Sequence, residues 1–205
     1  MKKTSIKNVI FDFGQVMVHF DPHAIAARTL DDPNDVDLLI PILFDRLYWD
    51  KLDAGSISDD EVLDAVCARL PDRLHTAART VYWNWIYHIP VIAGMPELVQ
   101  KLKARGVRVA LLSNISHYFV SHAHEIPVLS LFEYCVFSSD LGINKPDARI
   151  FAKACEGGGF DPAQTLFIDD NSANVQGARS FGLQAYQFDG DVVALQAYLD
   201  AVIED

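Results

Sequence analysis

The chain has 205 residues, half of them apolar and 22% charged, with a formal charge of −11. This composition fits a globular fold with a sizeable core and excludes a disordered or fibrous chain. The acidic balance argues against nucleic acid and anionic membranes as partners, yet leaves room for a small phosphorylated molecule held locally. Cys67, Cys135 and Cys155 are widely spaced and form neither a disulfide framework nor a zinc pattern. No run is long enough for a signal-peptide core or a membrane span, so a cytoplasmic location is expected, as a monomer or weak dimer.

In chain order, NVIF (8–11) is a short apolar run that ends at Asp12, with Gly14 two residues further on. Residues 21–93 have a different texture and read as helical throughout. Ser58-Asp59-Asp60-Glu61 has capping-box spacing ahead of VLDAVCARL, and DRLHTAARTVYWNWIYHI is rich in aromatic residues. PELVQKLKAR (96–105) has Pro96 in its first turn and stops at Gly106, as a helix should. VRVALL (107–112) then leads to Ser113-Asn114, and YCVF (134–137) to Ser138-Ser139-Asp140.

PDARIFAKACE (146–156) is predicted helical up to the glycine triplet 157–159, with Lys145 at its start. TLFI (165–168) ends at Asp169-Asp170-Asn171, a helix is predicted over 172–181, AYQF (185–188) is a fifth run, and a helix over 192–203 closes the chain. Short continuous apolar runs separated by helices suit a parallel sheet buried on both faces. The predicted fold is therefore α/β: a Rossmann-like core, 1–20 and 94–205, with a small all-helical cap (21–93) inserted after the first strand.

Ligands of open parallel sheets bind beyond the carboxyl ends of the strands. Asp12 there suits a nucleophile or a metal ligand. Asp169 and Asp170 would repel each other unless a cation or donor lay between them, and with Asp12 they make an oxygen-rich cradle suited to Mg2+. The plainer role open to Asp170 or Asn171 is capping the next helix. Lys145, a cation beside free N–H groups at a helix start, suits a dianionic ligand, and Ser113 and Asn114 add neutral donors.

Asp12 in IFDFG, Ser113 in LLSN, Lys145 in INKPD and Asp169-Asp170 in FIDDN resemble, in order and spacing, the four motifs of the haloacid dehalogenase superfamily. FDFGQV, SSDLGINKPDARIF and FIDDNSANVQGA are most similar to the subgroup containing α-D-glucose-1-phosphate phosphatase and the phosphatase-like domain of epoxide hydrolases, and AGSISDDE is similar to the cap of that group. The resemblance implies a Mg2+-dependent phosphatase acting on a small phosphorylated metabolite, a sugar 1-phosphate by preference. It implies that Asp12 attacks phosphorus to give an aspartyl-phosphate. Mg2+ would be held by Asp12, the Gly14 carbonyl and Asp170, with Asp169 a direct ligand or one step behind. Ser113 and Asn114 would hold phosphoryl oxygens, and Lys145 would neutralise charge. A later acidic position of the last motif is here Asn174.

Most phosphatases of the superfamily have a second aspartate where this chain has Gly14. That group protonates the leaving alkoxide and then activates water, work that contributes typically about 10²–10⁴-fold. Either an activated leaving group, such as a hemiacetal, or another donor such as His19 or Asp21 would make up for its absence. Tyr48, Trp49, Trp83, Trp85 and His88 are the informative cap residues; aromatics at helical spacing are more often core than binding platforms. The competing readings are a metal-independent 2-haloacid dehalogenase, which also lacks the second aspartate, and a catalytically degenerate member that binds a phospho-ligand or a protein.

Overall fold

A computed structural model describes residues 5–203. Five parallel strands form one sheet in the order β3-β2-β1-β4-β5: β1 Asn8–Phe11, β2 Arg108–Ser113, β3 Cys135–Phe137, β4 Thr165–Asp169 and β5 Gln184–Gln187. β1 pairs in register with both neighbours, Phe11 lying opposite Leu111 of β2 and Ile168 of β4. After β1 the chain builds outward through β2 and β3, then returns to lay β4 on the other side of β1. The crevice at that reversal lies between the ends of β1 and β4, where Asp12 and Asp169 stand.

The strands are continuous apolar runs because both faces are covered. Val9, Phe11, Val109, Leu111, Leu166 and Ile168 face one layer of the core, and Ile10, Ala110, Leu112 and Phe167 face the other. Between β1 and β2 come helices α1 Pro22–Ala26, α2 Pro33–Leu43, α3 Arg46–Asp53, α4 Asp59–Cys67 and α5 His75–Asn84, followed by α6 Met95–Ala104. The expected capping box is present at α4, where Ser58 accepts from the Glu61 N–H and the Glu61 carboxylate accepts from the Ser58 N–H. The first sheet layer and the helical segment share one apolar cluster, which runs from Val9 and Phe11 through Met17 and Trp85 to Leu63 and Val66.

The remaining helices are α7 His117–His122, α8 Ser138–Leu141, α9 Ala148–Gly158, α10 Ser172–Phe181 and α11 Val192–Val202. α9 starts and ends two residues later than the sequence predicts. Pro146 looks like a first-turn proline, but the N-cap is Asp147, whose carboxylate accepts from the Arg149 N–H. Lys145 therefore lies in the loop ahead of the helix, and its Lys145–Pro146 peptide is cis. Gly157 and Gly158 are helical, position 158 needs a glycine because a Cβ there would lie 2.6 Å from Tyr134 Oη, and only Gly159 turns left-handed to end the helix. No helix among the described residues is long and apolar enough to cross a membrane.

Candidate active site

Asp12 leaves β1 with its N–H donating to Ile168 O, while the Phe13 N–H donates to the Asp12 carboxylate at 2.7 Å. A tight loop follows. Gln15, left-handed at φ 55°, donates its N–H to Val18 O, and its side chain exchanges two hydrogen bonds with the backbone of Phe20. This loop holds Gly14 on the wall of a cavity of about 500 Å³ that opens at the ends of β1, β2 and β4. Asp12, Ser113, Asn114, Lys145, Asp170 and Asn174 line the same cavity.

Lys145 is the electrostatic centre. Its Nζ lies 2.6 Å from Asp12 Oδ1 and 2.8 Å from Asp169 Oδ2, and it donates to Leu112 O at 3.1 Å. The ammonium is almost completely buried, and the two carboxylates hold its pKa above the usual lysine value against the opposing effect of burial. A lysine between two buried carboxylates explains its position better than the free N–H groups expected of a helix start. Asn114 fixes the loop from below: its Oδ1 accepts from the Lys145 N–H at 2.7 Å and its Nδ2 donates to Lys145 O at 3.1 Å. That uses one of the two amide N–H groups and leaves the other for a ligand.

Asp169 is fully enclosed, and its oxygens are well occupied. They accept from Lys145, from the Asn171 N–H at 2.8 Å and from Asn174 Nδ2 at 3.1 and 3.2 Å. Asp170 is only partly buried and is not the helix cap, because Asn171 caps α10 by accepting from the Ala173 N–H. Ligand atoms of Asp12, Asp169 and Asp170 all lie within 4.8 Å of one another. Burial raises the pKa of Asp12 and of Asp170, and the charge of Asp169 adds to both shifts. Three carboxylates thus face one ammonium, and the surplus negative charge suits a divalent cation with a preference for oxygen. Ser113 is buried, with its hydroxyl 3.5 Å from Asn114 O, too far for a good hydrogen bond and so free to meet a ligand oxygen.

Trp49, Trp85 and Phe20 form an aromatic wall of the cavity, and Arg46, Asp50 and Asp53 of α3 add polar groups. Trp85 is in ring contact with Phe20, Trp49 and Phe119, so packing and cavity lining are combined in one residue. Tyr48, Trp83 and His88 are not on the wall. Trp83 instead packs edge-on against Tyr118, whose hydroxyl donates to Trp83 O. His19 and Asp21, suggested as proton donors, are exposed and outside the cavity, and Asp21 is occupied in capping α1. Asp53, Arg46 and Asn144 also line the cavity, with no signal in the sequence to mark them. In sequence they read as ordinary polar positions of a helix and a loop, with no spacing to set them apart.

Residues 6–182 match the haloacid dehalogenase-like hydrolases. The chain belongs to that family. A D-ribitol-5-phosphate phosphatase of Bacteroides thetaiotaomicron is 28% identical over 193 residues, covering 89% of this chain and 91% of that enzyme. A segment of 87 residues is 36% identical to (S)-2-haloacid dehalogenase 4A of Burkholderia cepacia, covering 42% of this chain and 38% of the other. A family enzyme of Bacteroides thetaiotaomicron, solved as a magnesium complex, superposes with a TM-score of 0.71 at 23% identity over 93% of this chain and 98% of that one, a likeness of fold. This HAD-like chain is accordingly a hydrolase with the parallel five-stranded sheet of its family.

Proposed function

We propose that this chain is a Mg2+-dependent phosphatase acting on a small phosphorylated metabolite, with residues 21–93 as the cap over its site. The observation that carries this reading is the cluster of Asp12, Asp169 and Asp170 around a buried Lys145. A dehalogenase has no use for the surplus carboxylate, whereas a phosphoryl group needs its charge balanced by cations. The sugar-alcohol phosphate substrate named for the Bacteroides relative supports a polyhydroxylated leaving group. So does the cavity, whose aromatic wall stands beside Arg46 and Asp50. Among such substrates, sugar 1-phosphates are favoured because a hemiacetal leaves more easily than a simple alkoxide.

In this reading Asp12, the Gly14 carbonyl and Asp170 would hold Mg2+, which would neutralise charge on the phosphoryl oxygens. The Ser113 hydroxyl and the spare N–H of Asn114 orient those oxygens. One Asp12 oxygen attacks phosphorus, forming the aspartyl-phosphate as the bond to the leaving oxygen breaks. Lys145 steadies the charge that shifts between nucleophile and phosphoryl group, and Asp169 and Asn114 hold Lys145 in place. The cap excludes bulk water. The test is phosphate release from sugar phosphates, alkyl phosphates and p-nitrophenyl phosphate, with and without Mg2+, beside Asp12→Asn. Chloride release from a 2-haloacid in the absence of Mg2+, with no phosphate release, overturns the reading in favour of a dehalogenase.

A further inference from the structure

The chemistry above leaves a gap: with glycine at position 14, no group on the nucleophile loop can hand a proton to the leaving oxygen. We propose that Asp53, reaching in from the last turn of α3, is the general acid and base of this site.

Three features support the assignment. First, Asp53 lines the cavity that Asp12 and Lys145 line, on the side contributed by the cap, where a leaving group would sit. Second, its backbone is fixed to the core beside the catalytic loops. Ser138 Oγ donates to Asp53 O at 2.5 Å while accepting from the Ile115 N–H at 2.9 Å, and one turn earlier Asn144 Nδ2 donates to Asp50 O at 2.7 Å. The turn that follows is equally tight, since a Cβ on Gly55 would lie 2.8 Å from Ser139 O. Third, the Asp53 carboxyl has no hydrogen-bond or ion-pair partner among the described residues, whereas its neighbour Asp50 is paired with Arg46 at 2.9 Å. A carboxyl without a partner, on a residue that lines the cavity, is available for proton transfer.

The groups facing Asp53 are Arg46 and Asp50 on its own helix, Tyr82 on α5 and Lys145 on the core loop. Burial raises its carboxyl to about 7, reinforced by Asp50 and opposed by Arg46 and Lys145. That value matches the operating range of an acid that must give a proton and take one back. The balance is simple and rests on the phosphatase reading. Asp12 bonds to phosphorus, the P–O bond to the leaving group breaks, and protonated Asp53 gives its proton to the departing oxygen, releasing an alcohol. The Asp53 carboxylate then takes a proton from water as that water's oxygen bonds to phosphorus. The Asp12–phosphorus bond breaks, phosphate leaves, and Asp53 is again protonated.

The experiment compares wild type, Asp53→Asn and Asp53→Glu with Mg2+ on an alkyl phosphate and on p-nitrophenyl phosphate, in the steady state and in the first turnover. Asp53→Asn is expected to lower alkyl phosphate turnover about 10²–10⁴-fold. It should also abolish the fall of kcat/KM above about pH 7 seen in wild type. With p-nitrophenyl phosphate, whose leaving group needs no proton, a burst of about one p-nitrophenol per enzyme should survive, followed by slow hydrolysis. Asp53→Glu should regain part of the alkyl phosphate rate, and it keeps the question open to test if Asp53→Asn does not fold. Unchanged turnover, or loss of the burst together with an unaltered pH profile in the residual rate, overturns the assignment while leaving the phosphatase reading intact. A folded wild type that releases no phosphate from any ester overturns both.

Discussion

Gly177, halfway along α10, faces Pro146 so closely that a Cβ on it would lie 2.6 Å from the proline Cβ and 2.9 Å from the proline carbonyl oxygen. The helix that follows the acidic motif therefore supports the loop that carries Lys145. Gly177→Ala is expected to cost about 1–3 kcal/mol through overpacking. Because the displaced residue adjoins Lys145, kcat should fall by about tenfold or more, as reactive groups are sensitive to shifts of about 1 Å. Turnover and urea melts would check this, and a wild-type kcat would show that Pro146 does not set the position of Lys145.

Lys145→Met removes the only cation that touches both Asp12 and Asp169 among the described residues. Removing one partner of a buried ionic cluster costs about 3–5 kcal/mol. The loss should be smaller at pH 5 than at pH 8, because protonating one carboxylate relieves the repulsion left behind. Chemical denaturation at the two pH values measures it.

Asp170 is the least enclosed of the three carboxylates and the one with the most freedom to take a cation. Mg2+ should raise the melting temperature of the wild type, since a ligand at about 100 times its Kd adds about 2.7 kcal/mol. Asp170→Asn should show much less of that rise. Equal shifts in the two proteins would place the ion elsewhere.

Asp53 also has a signature in stability. Its carboxyl titrates at 3.8 when exposed and at about 7 in the fold, so between those values the folded state holds a proton that the unfolded chain has released. Its contribution is complete below about pH 4 and is lost as pH rises through about 7. Asp12 and Asp170 act in the same direction, so the comparison of interest is with Asp53→Asn, which should lose less stability between pH 5 and 8 than wild type. Parallel slopes would count against a raised Asp53.

A side chain at Gly14 is not excluded by space, since nothing lies within 4 Å of where its Cβ would be. Gly14→Asp added to Asp53→Asn is expected to recover at least about tenfold of alkyl phosphate turnover, by restoring a carboxyl on the nucleophile loop. No recovery would mean that proton transfer is not what the Asn variant lacks.

Much of this site was legible in sequence because each key residue ends an apolar run. Asp12, Ser113 and Asp169 follow directly from where β1, β2 and β4 stop, and α10 spans the predicted 172–181. Lys145 stands out in sequence only through the proline after it, which mimics the helix start that Asp147 in fact provides. The helical side, residues 21–93, was not legible. Whether Trp49 and Asp53 face the cavity depends on how α3 docks, through Ser138 and Asn144, onto loops roughly ninety residues away. Helical periodicity identifies a buried face but not which neighbour buries it.

The apolar cluster that runs unbroken from Phe11 beneath the sheet to Leu63 in α4 bears on how such enzymes diversify. A lid joined by hinges alone could be exchanged between relatives as a module. Here a transplanted segment would take part of the host's interior with it, leaving mismatched voids at Met17 and Trp85. New specificities should therefore arise by point changes at the cavity-lining polar positions of α3, Arg46 and Asp50, and not at Leu52, which belongs to the shared interior.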